Sequence, residues 1–330
     1  MGVNEILYNT AYEMLLTMKP RSISKEELQD YFVGDSCNPV TLRDVFIAFI
    51  KAAQDYSRMP NVIKFDKRKE VIGNILHDFD YRYASTLTAE TLYKMFSQEF
   101  SGITETSWML WSNAVIDSAK YISKFKTFER FNEYVTKTSD LKTVPLSMSS
   151  QIRGMGFAIA SLSLKELGYL DYVKPDVHLI DICVGLDISS KNPLDVFDAM
   201  IEIAKDNAIT PYKLDKVLWL VCSGNFYKHD IKVGGRKSEL IAKVNGKINT
   251  NYSSTRLKIH KKNDSDSGVQ LSVEKQLVKK LEQYLNISNL VNDMGIRFVV
   301  LNMDGVRYMD VSSVNEGPFT LIMDSKELFN

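Results

Sequence analysis

Apolar residues recur every three to four positions from residue 4 to about residue 228, and strand-like alternation is nearly absent over that span. Such a period puts one apolar stripe on each of a series of helices, which must then be buried against one another. The runs SKEELQDYFV, NPVTLRDVFIAFIKAAQDY, KRKEVIGNILHDF, SWMLWSNAVIDSAKYI, GFAIASLSLKELGY, PLDVFDAMIEIAKDN and TPYKLDKVLWLVC all fit it. Ser24 and Glu27 are spaced as a capping box. Val45, Ile47, Ala48, Ile50 and Ala52 mark the expected apolar face of the second run. Trp108 and Trp111 are expected in the core. Connections are short, so residues 1–230 read as an all-helical domain of many short helices.

The 330 residues suffice for about two domains. Formal net charge is zero, so no global field favours nucleic acid or a membrane, and a polyanion contact needs a local patch. Cys37, Cys183 and Cys222 are too scattered for a disulfide framework or a metal cluster, which points to a reducing compartment. The start MGVNEILYNTAYEML lacks a basic stretch ahead of an apolar core, and runs such as VLWLVC fall far short of a membrane span. The expectation is a soluble, cytoplasmic chain with no membrane partner, nucleoid-associated if bacterial.

Composition changes after residue 230. Residues 231–262 hold Lys232, Arg236, Lys237, Lys243, Lys247, Arg256, Lys258, Lys261 and Lys262 against Glu239. This reads as a flexible basic linker with weak strand signals and a hairpin turn at Asn245-Gly246. SVEKQLVKKLEQYLNISNLV reads as an amphipathic helix. IRFVVLNMDGVRYMDV reads as two strands joined at Asp304-Gly305, and PFTLIM as a third. Residues 231–330 are therefore expected to be a basic linker plus a small C-terminal α+β module. The linker charge is either simply solvated or grips phosphates.

The stretch QIRGMGFAIASLSLKELGYLDYVKPDVHLIDIC, from residue 151, carries the chemistry. Gly154 and Gly156 allow a sharp turn between two helices, because glycine accepts backbone angles other residues resist. The turn also bares N–H groups at the start of the next helix, where the dipole favours an anion such as phosphate. Read alone, this is a tight helix–helix turn without a ligand. Asp176 follows Gly156 by twenty residues. Read alone, it is a helix N-cap.

Taken together, the Ile152-Arg153-Gly154-Met155-Gly156 turn, the helix FAIASLSLKELG and the later Asp176-Val177-His178 resemble the helix-hairpin-helix (HhH-GPD) DNA glycosylase superfamily. That group includes endonuclease III, 8-oxoguanine glycosylase and the alkylpurine glycosylases. Its hairpin reads roughly Leu-Pro-Gly-Val-Gly and is followed by Val-Asp-x-His, whose Asp is catalytic. The resemblance covers about residues 65–225. It implies a mainly α, two-lobed helical glycosylase core, with the first 60 residues packing on the helices after Asp176. It also implies base excision: a base flipped out of double-stranded DNA, with its N-glycosidic bond hydrolysed to leave an abasic site.

Residue by residue, the resemblance makes Asp176 the catalytic acid. Arg153, Gly154, Met155, Gly156 and Phe157 become the phosphate-binding hairpin, with Arg153 in the proline position adding a phosphate contact. Backbone carbonyls of Ser150, Ile152 and Met155 would hold Na+ or K+. No other cofactor is implied, and without the family's four-cysteine cluster no iron–sulfur centre is expected. Counting back about eighty residues from Ala158 reaches the wedge region, so His77, Asp78, Phe79, Tyr81 and Arg82, with His178, become candidates for wedge or base pocket. Phe79 and Tyr83, four apart, equally fit one core face of a helix. The position that carries the lysine of strand-cleaving relatives is Ala158, which implies a monofunctional enzyme. Lys165 is expected on the solvated surface, and Lys174 is the one displaced amine near the acid. Asp181 stands where the family often has arginine, leaving that helix less basic. The alternatives are a non-catalytic hairpin DNA-binding protein and a phage-defence enzyme acting on hypermodified bases. A monomer is expected, with the target base left open.

Overall fold

The structure, a computed structural model, describes residues 2–34, 39–56, 60–254, 260–261, 268–273, 296–303 and 306–313. The chain divides into two compact units, Met1–Val244 and Asn245–Asn330.

The first unit is almost wholly helical: α1 (Val3–Met18), α2 (Lys25–Gln29), α3 (Leu42–Ala53), α4 (Pro60–Ile63), α5 (Phe65–Ile75), α6 (Tyr81–Thr86), α7 (Ala89–Glu99) and α8 (Glu105–Ile122). There follow α9 (Phe128–Lys137), α10 (Thr143–Gln151), α11 (Phe157–Glu166), α12 (Val177–Gly185), α13 (Pro193–Asp206) and α14 (Pro211–Ser223). A two-residue pair, β1 (Asn225–Phe226) with β2 (Ile231–Lys232), leads into α15 (Lys237–Ser254), which runs across the division. Starts are marked by side-chain caps: Ser24 with Glu27 on α2, Thr41 with Asp44 on α3, and Thr210 on α14.

α8 is central and meets α3, α6, α7 and α10, with Trp108 and Trp111 wholly buried on it. The Trp111 indole N–H donates to the Ile50 carbonyl at 2.9 Å. On α3 the buried residues are Leu42, Val45, Phe46, Phe49, Ile50, Ala52 and Ala53. Val45, Ile50 and Ala52 are buried as expected, whereas Ile47 and Ala48 are half-buried, because Phe46 and Phe49 have more area to remove from water and set the rotation. Of the first 60 residues, α1 packs on α13 and α14, whereas α3 packs on α8 and α11.

The segment 231–244 corrects the expectation of a flexible linker that begins at residue 231. Val233 N–H donates to the Gly224 carbonyl at 2.8 Å, and Arg236 N–H to the Val221 carbonyl at 2.8 Å. A Cβ on Gly235 would stand 2.0 Å from the Cys222 carbonyl oxygen, so only glycine permits this approach. The Asn245-Gly246 dipeptide lies inside α15, so the hairpin turn is absent there. Asn and Gly are both weak helix formers, and Leu240 and Val244, buried and four apart, supply the helical face that outweighs the local turn preference.

In the second unit β3 (His260–Lys261), β4 (Gly268–Val273), β5 (Ile296–Met303) and β6 (Val306–Ser313) form an antiparallel sheet in the order β3-β4-β6-β5. β5 and β6 pair from Ile296↔Ser313 to Met303↔Val306, the two strands expected on either side of Asp304-Gly305. Ser272 and Val273, expected to open a helix, end β4. The rest of that expected helix, PFTLIM and Cys37 lie outside the described residues. No helix among the described residues is long and apolar enough to cross a membrane.

Candidate functional site

α10 ends at Gln151, and the chain reverses through Ile152–Gly156 into α11. Met155 N–H donates to the Ile152 carbonyl at 3.1 Å, closing the turn. Gly154 takes φ +77°, and the space beside it is ordinary, so glycine is required there for its angle rather than its size. Ile152 and Met155 are buried and anchor the loop. Gly156 is extended, open to solvent, and N-caps α11 without any capping side chain. The first N–H groups of this ten-residue helix therefore have no side-chain cap, which is the local requirement for holding an anion. Beside them is a cavity of about 440 Å³ lined by Tyr56, Leu110, Asp117, Gln151, Arg153 and Gly154. Ser150, Ile152 and Met155, the residues expected to hold a cation, line the same cavity.

Arg153 does not project freely. Its Nε and Nη2 donate to Asp117 Oδ2 and Oδ1 at 2.7 and 3.1 Å, and its backbone N–H donates to Oδ2 at 3.2 Å. The fork geometry of guanidinium and carboxylate favours this pairing. Phe157 half-buries its ring edge-on to Phe197 at 5.4 Å.

Asp176 N-caps α12, its Oδ1 accepting from His178 N–H at 2.9 Å and Leu179 N–H at 3.3 Å. Its own N–H donates to the Lys174 carbonyl at 2.7 Å, so Lys174-Pro175-Asp176 is a tight bend. Burial raises the Asp176 carboxyl above the usual carboxylate range. The nearby Asp215 charge adds to this, with Lys174 and His178 opposing. His178 Nδ1 is buried and has no hydrogen-bond partner. Val177, between them, is exposed.

Lys165 overturns the surface expectation. Its side chain is 4% exposed and its ammonium is 2.9 Å from Asp215, itself 4% exposed, on α14. The cause lies in α11, where every residue from Ile159 to Lys165 is buried. A helix enclosed on all sides leaves a lysine no route to water, so it needs a counter-charge. Lys174, the other amine considered, reaches Asp55 at 3.0 Å. Asp181 pairs with Lys237 at the start of α15. The cation missing from α12 is thus supplied from beyond residue 230.

In the expected wedge region, His77, Asp78 and Phe79 all have positive φ, at 49°, 59° and 58°. Three successive left-handed residues without glycine are costly and need outside support. Asp78 N–H donates to the Gly73 carbonyl at 2.7 Å, and Arg43 grips the Asp78 carboxylate and carbonyl. Phe79 is 4% exposed against Phe65, which makes it the anchor of the turn rather than a wedge. His77 and Asp78 are exposed, and His77 stacks on Tyr83 with centroids 3.7 Å apart. Tyr81 is half-buried, and Arg82, exposed, lies over its ring at 5.6 Å.

Asp215, Asp117 and Arg43 were not singled out in the sequence. Asp215 had a signal, a charged pair inside the apolar run of α14; the other two had none. Cys183 and Cys222 are buried free thiols, pushed up by burial to about 11 and about 12. Comparison of this chain with protein-family models, with curated proteins and with solved structures gives no match.

Proposed function

We propose that this chain is a monofunctional DNA glycosylase of the helix-hairpin-helix type, excising a modified base from duplex DNA and leaving an abasic site. The observation that carries the reading is the desolvated carboxylate of Asp176 at a helix start, twenty residues after an uncapped glycine hairpin. One lobe of the core would be α3–α11, the other α1 with α12–α14, with the DNA held where the hairpin and the Asp176 bend face it. The 245–330 unit is then an accessory α+β module.

The chemistry follows from the residues. The open N–H groups of α11 take a phosphate and fix the strand without reading its sequence. A sodium or potassium ion at the Ser150, Ile152 and Met155 carbonyls would add positive charge beneath that phosphate. His77 and Asp78, on their braced turn, fill the space the flipped base leaves. As the C1′–N bond breaks, the base leaves with the electron pair and takes up a proton from solvent water. The ionised Asp176 carboxylate stabilises the positive charge growing on the sugar. Water then forms the C1′–O bond, giving its proton to Asp176 or solvent. No amine stands at Ala158, and Lys174 is held by Asp55, which supports hydrolysis without strand cleavage.

The second reading, a hairpin DNA-binding protein without chemistry, is favoured by one fact: Asp176 Oδ1 is fully used as an N-cap. A panel of duplexes, each with one alkylated, deaminated, oxidised or hypermodified base, separates the two. Strand breaks that need added alkali, at the modified base alone, support the glycosylase. Binding to an abasic-site duplex with no base release from any duplex in the panel overturns it.

A further inference from the structure

The pair Lys165–Asp215 is the most deeply buried ion pair among the described residues, and it does more than neutralise itself. Asp215 Oδ2 also accepts the backbone N–H of Lys174 at 2.6 Å. The Lys174 carbonyl in turn accepts Asp176 N–H at 2.7 Å. The Lys174 ammonium is itself tied to Asp55 on the segment after α3. The bend that presents Asp176 is thus pinned at its amide from α14 and at its side chain from the segment after α3, and the α14 pin is held in place by an ammonium from α11. Pro175 limits the remaining freedom between the pins.

We propose that Asp215, clamped by Lys165, is a positioning residue that fixes the Lys174-Pro175-Asp176 bend and so aims the Asp176 carboxylate. The inference rests on the reading of Asp176 as the working acid, and extends it to a residue that touches no substrate. Two consequences follow. The first is geometric: without the Asp215 oxygen the Lys174 amide loses its partner and the bend loosens. A displacement of about 1 Å at a reacting group costs on the order of a hundredfold in rate. The second is electrostatic, since the groups facing Asp176 are Asp215 and Cys222 from α14, and Lys174 and His178 from its own segment. Of these, Asp215 is the anion that holds a proton on Asp176 to higher pH, and Lys165 offsets part of its charge.

Two substitutions separate geometry from charge. Asp215→Asn with Lys165→Gln keeps an acceptor for the Lys174 amide and removes both charges. Asp215→Ala removes the acceptor. Carbon-13 carboxyl NMR of the full chain, with Asp176→Asn for assignment, should place the Asp176 midpoint at lower pH in the double variant than in the unaltered chain. In single-turnover base release, Asp215→Ala should lose about a hundredfold while the double variant stays within a few-fold, with its acid limb moved to lower pH. An unmoved Asp176 midpoint in a folded double variant removes the electrostatic consequence, and base release by folded Asp215→Ala within a few-fold of the unaltered chain overturns the positioning role. If neither variant folds, amide exchange of the unaltered protein decides: a protected Lys174 amide supports the pin, and a freely exchanging one refutes it. A protected Lys174 amide in a protein that releases no base leaves the pinned bend standing and sinks the glycosylase reading.

Discussion

Removing one member of the Lys165–Asp215 pair should be far worse than removing both. Each side chain is 4% exposed and their charged atoms are 2.9 Å apart. Asp215→Ala strands an ammonium in the core, a loss of about 3–5 kcal/mol. It also leaves the Lys174 N–H unpaired, worth about 1–3 kcal/mol when such a group stays dry. Burial already lowers the Lys165 amine below its ordinary range, so the variant can release the proton and recover part of the cost; about 4 kcal/mol is expected in all. Lys165→Met strands the carboxylate instead but leaves its bond to Lys174 intact, costing about 3 kcal/mol. The double variant keeps only the unpaired amide and should cost about 2 kcal/mol, a coupling of several kcal/mol. Urea unfolding followed by helical circular dichroism measures all four corners. The sign of the pH response is a second check. A folded-state amine pKa below the unfolded value means that the folded protein binds fewer protons. Asp215→Ala should therefore gain stability as pH rises towards the ordinary amine range. Costs that add to within about 0.5 kcal/mol would refute the argument, since independent sites add that closely.

Asp176→Asn should stabilise the fold near neutral pH, because it removes a desolvated carboxylate that faces Asp215. A raised carboxyl favours folding while it holds its proton and loses that contribution as pH rises through the folded pKa; the gain should thus fade on acidification in parallel urea titrations. Gly156→Val meets nothing within 4 Å and should fold, yet weaken binding to all DNA sequences alike by covering the α11 amides, as gel shift or anisotropy would report. Normal affinity of that variant for an abasic-site duplex would make the hairpin purely structural. Borohydride should trap no protein–DNA adduct; an adduct that vanishes in Lys174→Ala would transfer the chemistry to that amine.

The helices were legible because their signals are local: capping residues and a 3.6-residue apolar period read out α2, α3, α8 and α14 from neighbours in sequence. The hairpin was legible for the same reason, since Gly154 at φ +77° and an uncapped Gly156 are properties of a few adjacent residues. Partners distant in sequence were not. Lys165 and Asp215 are fifty residues apart, Arg153 and Asp117 thirty-six, and Arg43 and Asp78 thirty-five. A charge in an amphipathic pattern reads as solvated until the packing that encloses it is known. The clue was present in α11, where small and apolar residues on every face, AIASLSLK, mark a helix with no wet side. The left-handed His77-Asp78-Phe79 turn left no trace in composition, because its support comes from Arg43 and the space above Gly73.

The most direct test compares single-turnover base release by the full chain and by Asp176→Asn, on whichever modified duplex the panel identifies. The account predicts unchanged DNA affinity, an intact fold, and a rate lowered by orders of magnitude, because the developing sugar charge loses its counter-charge. A rate within a few-fold of the unaltered protein would reduce Asp176 to an N-cap and contradict the assignment.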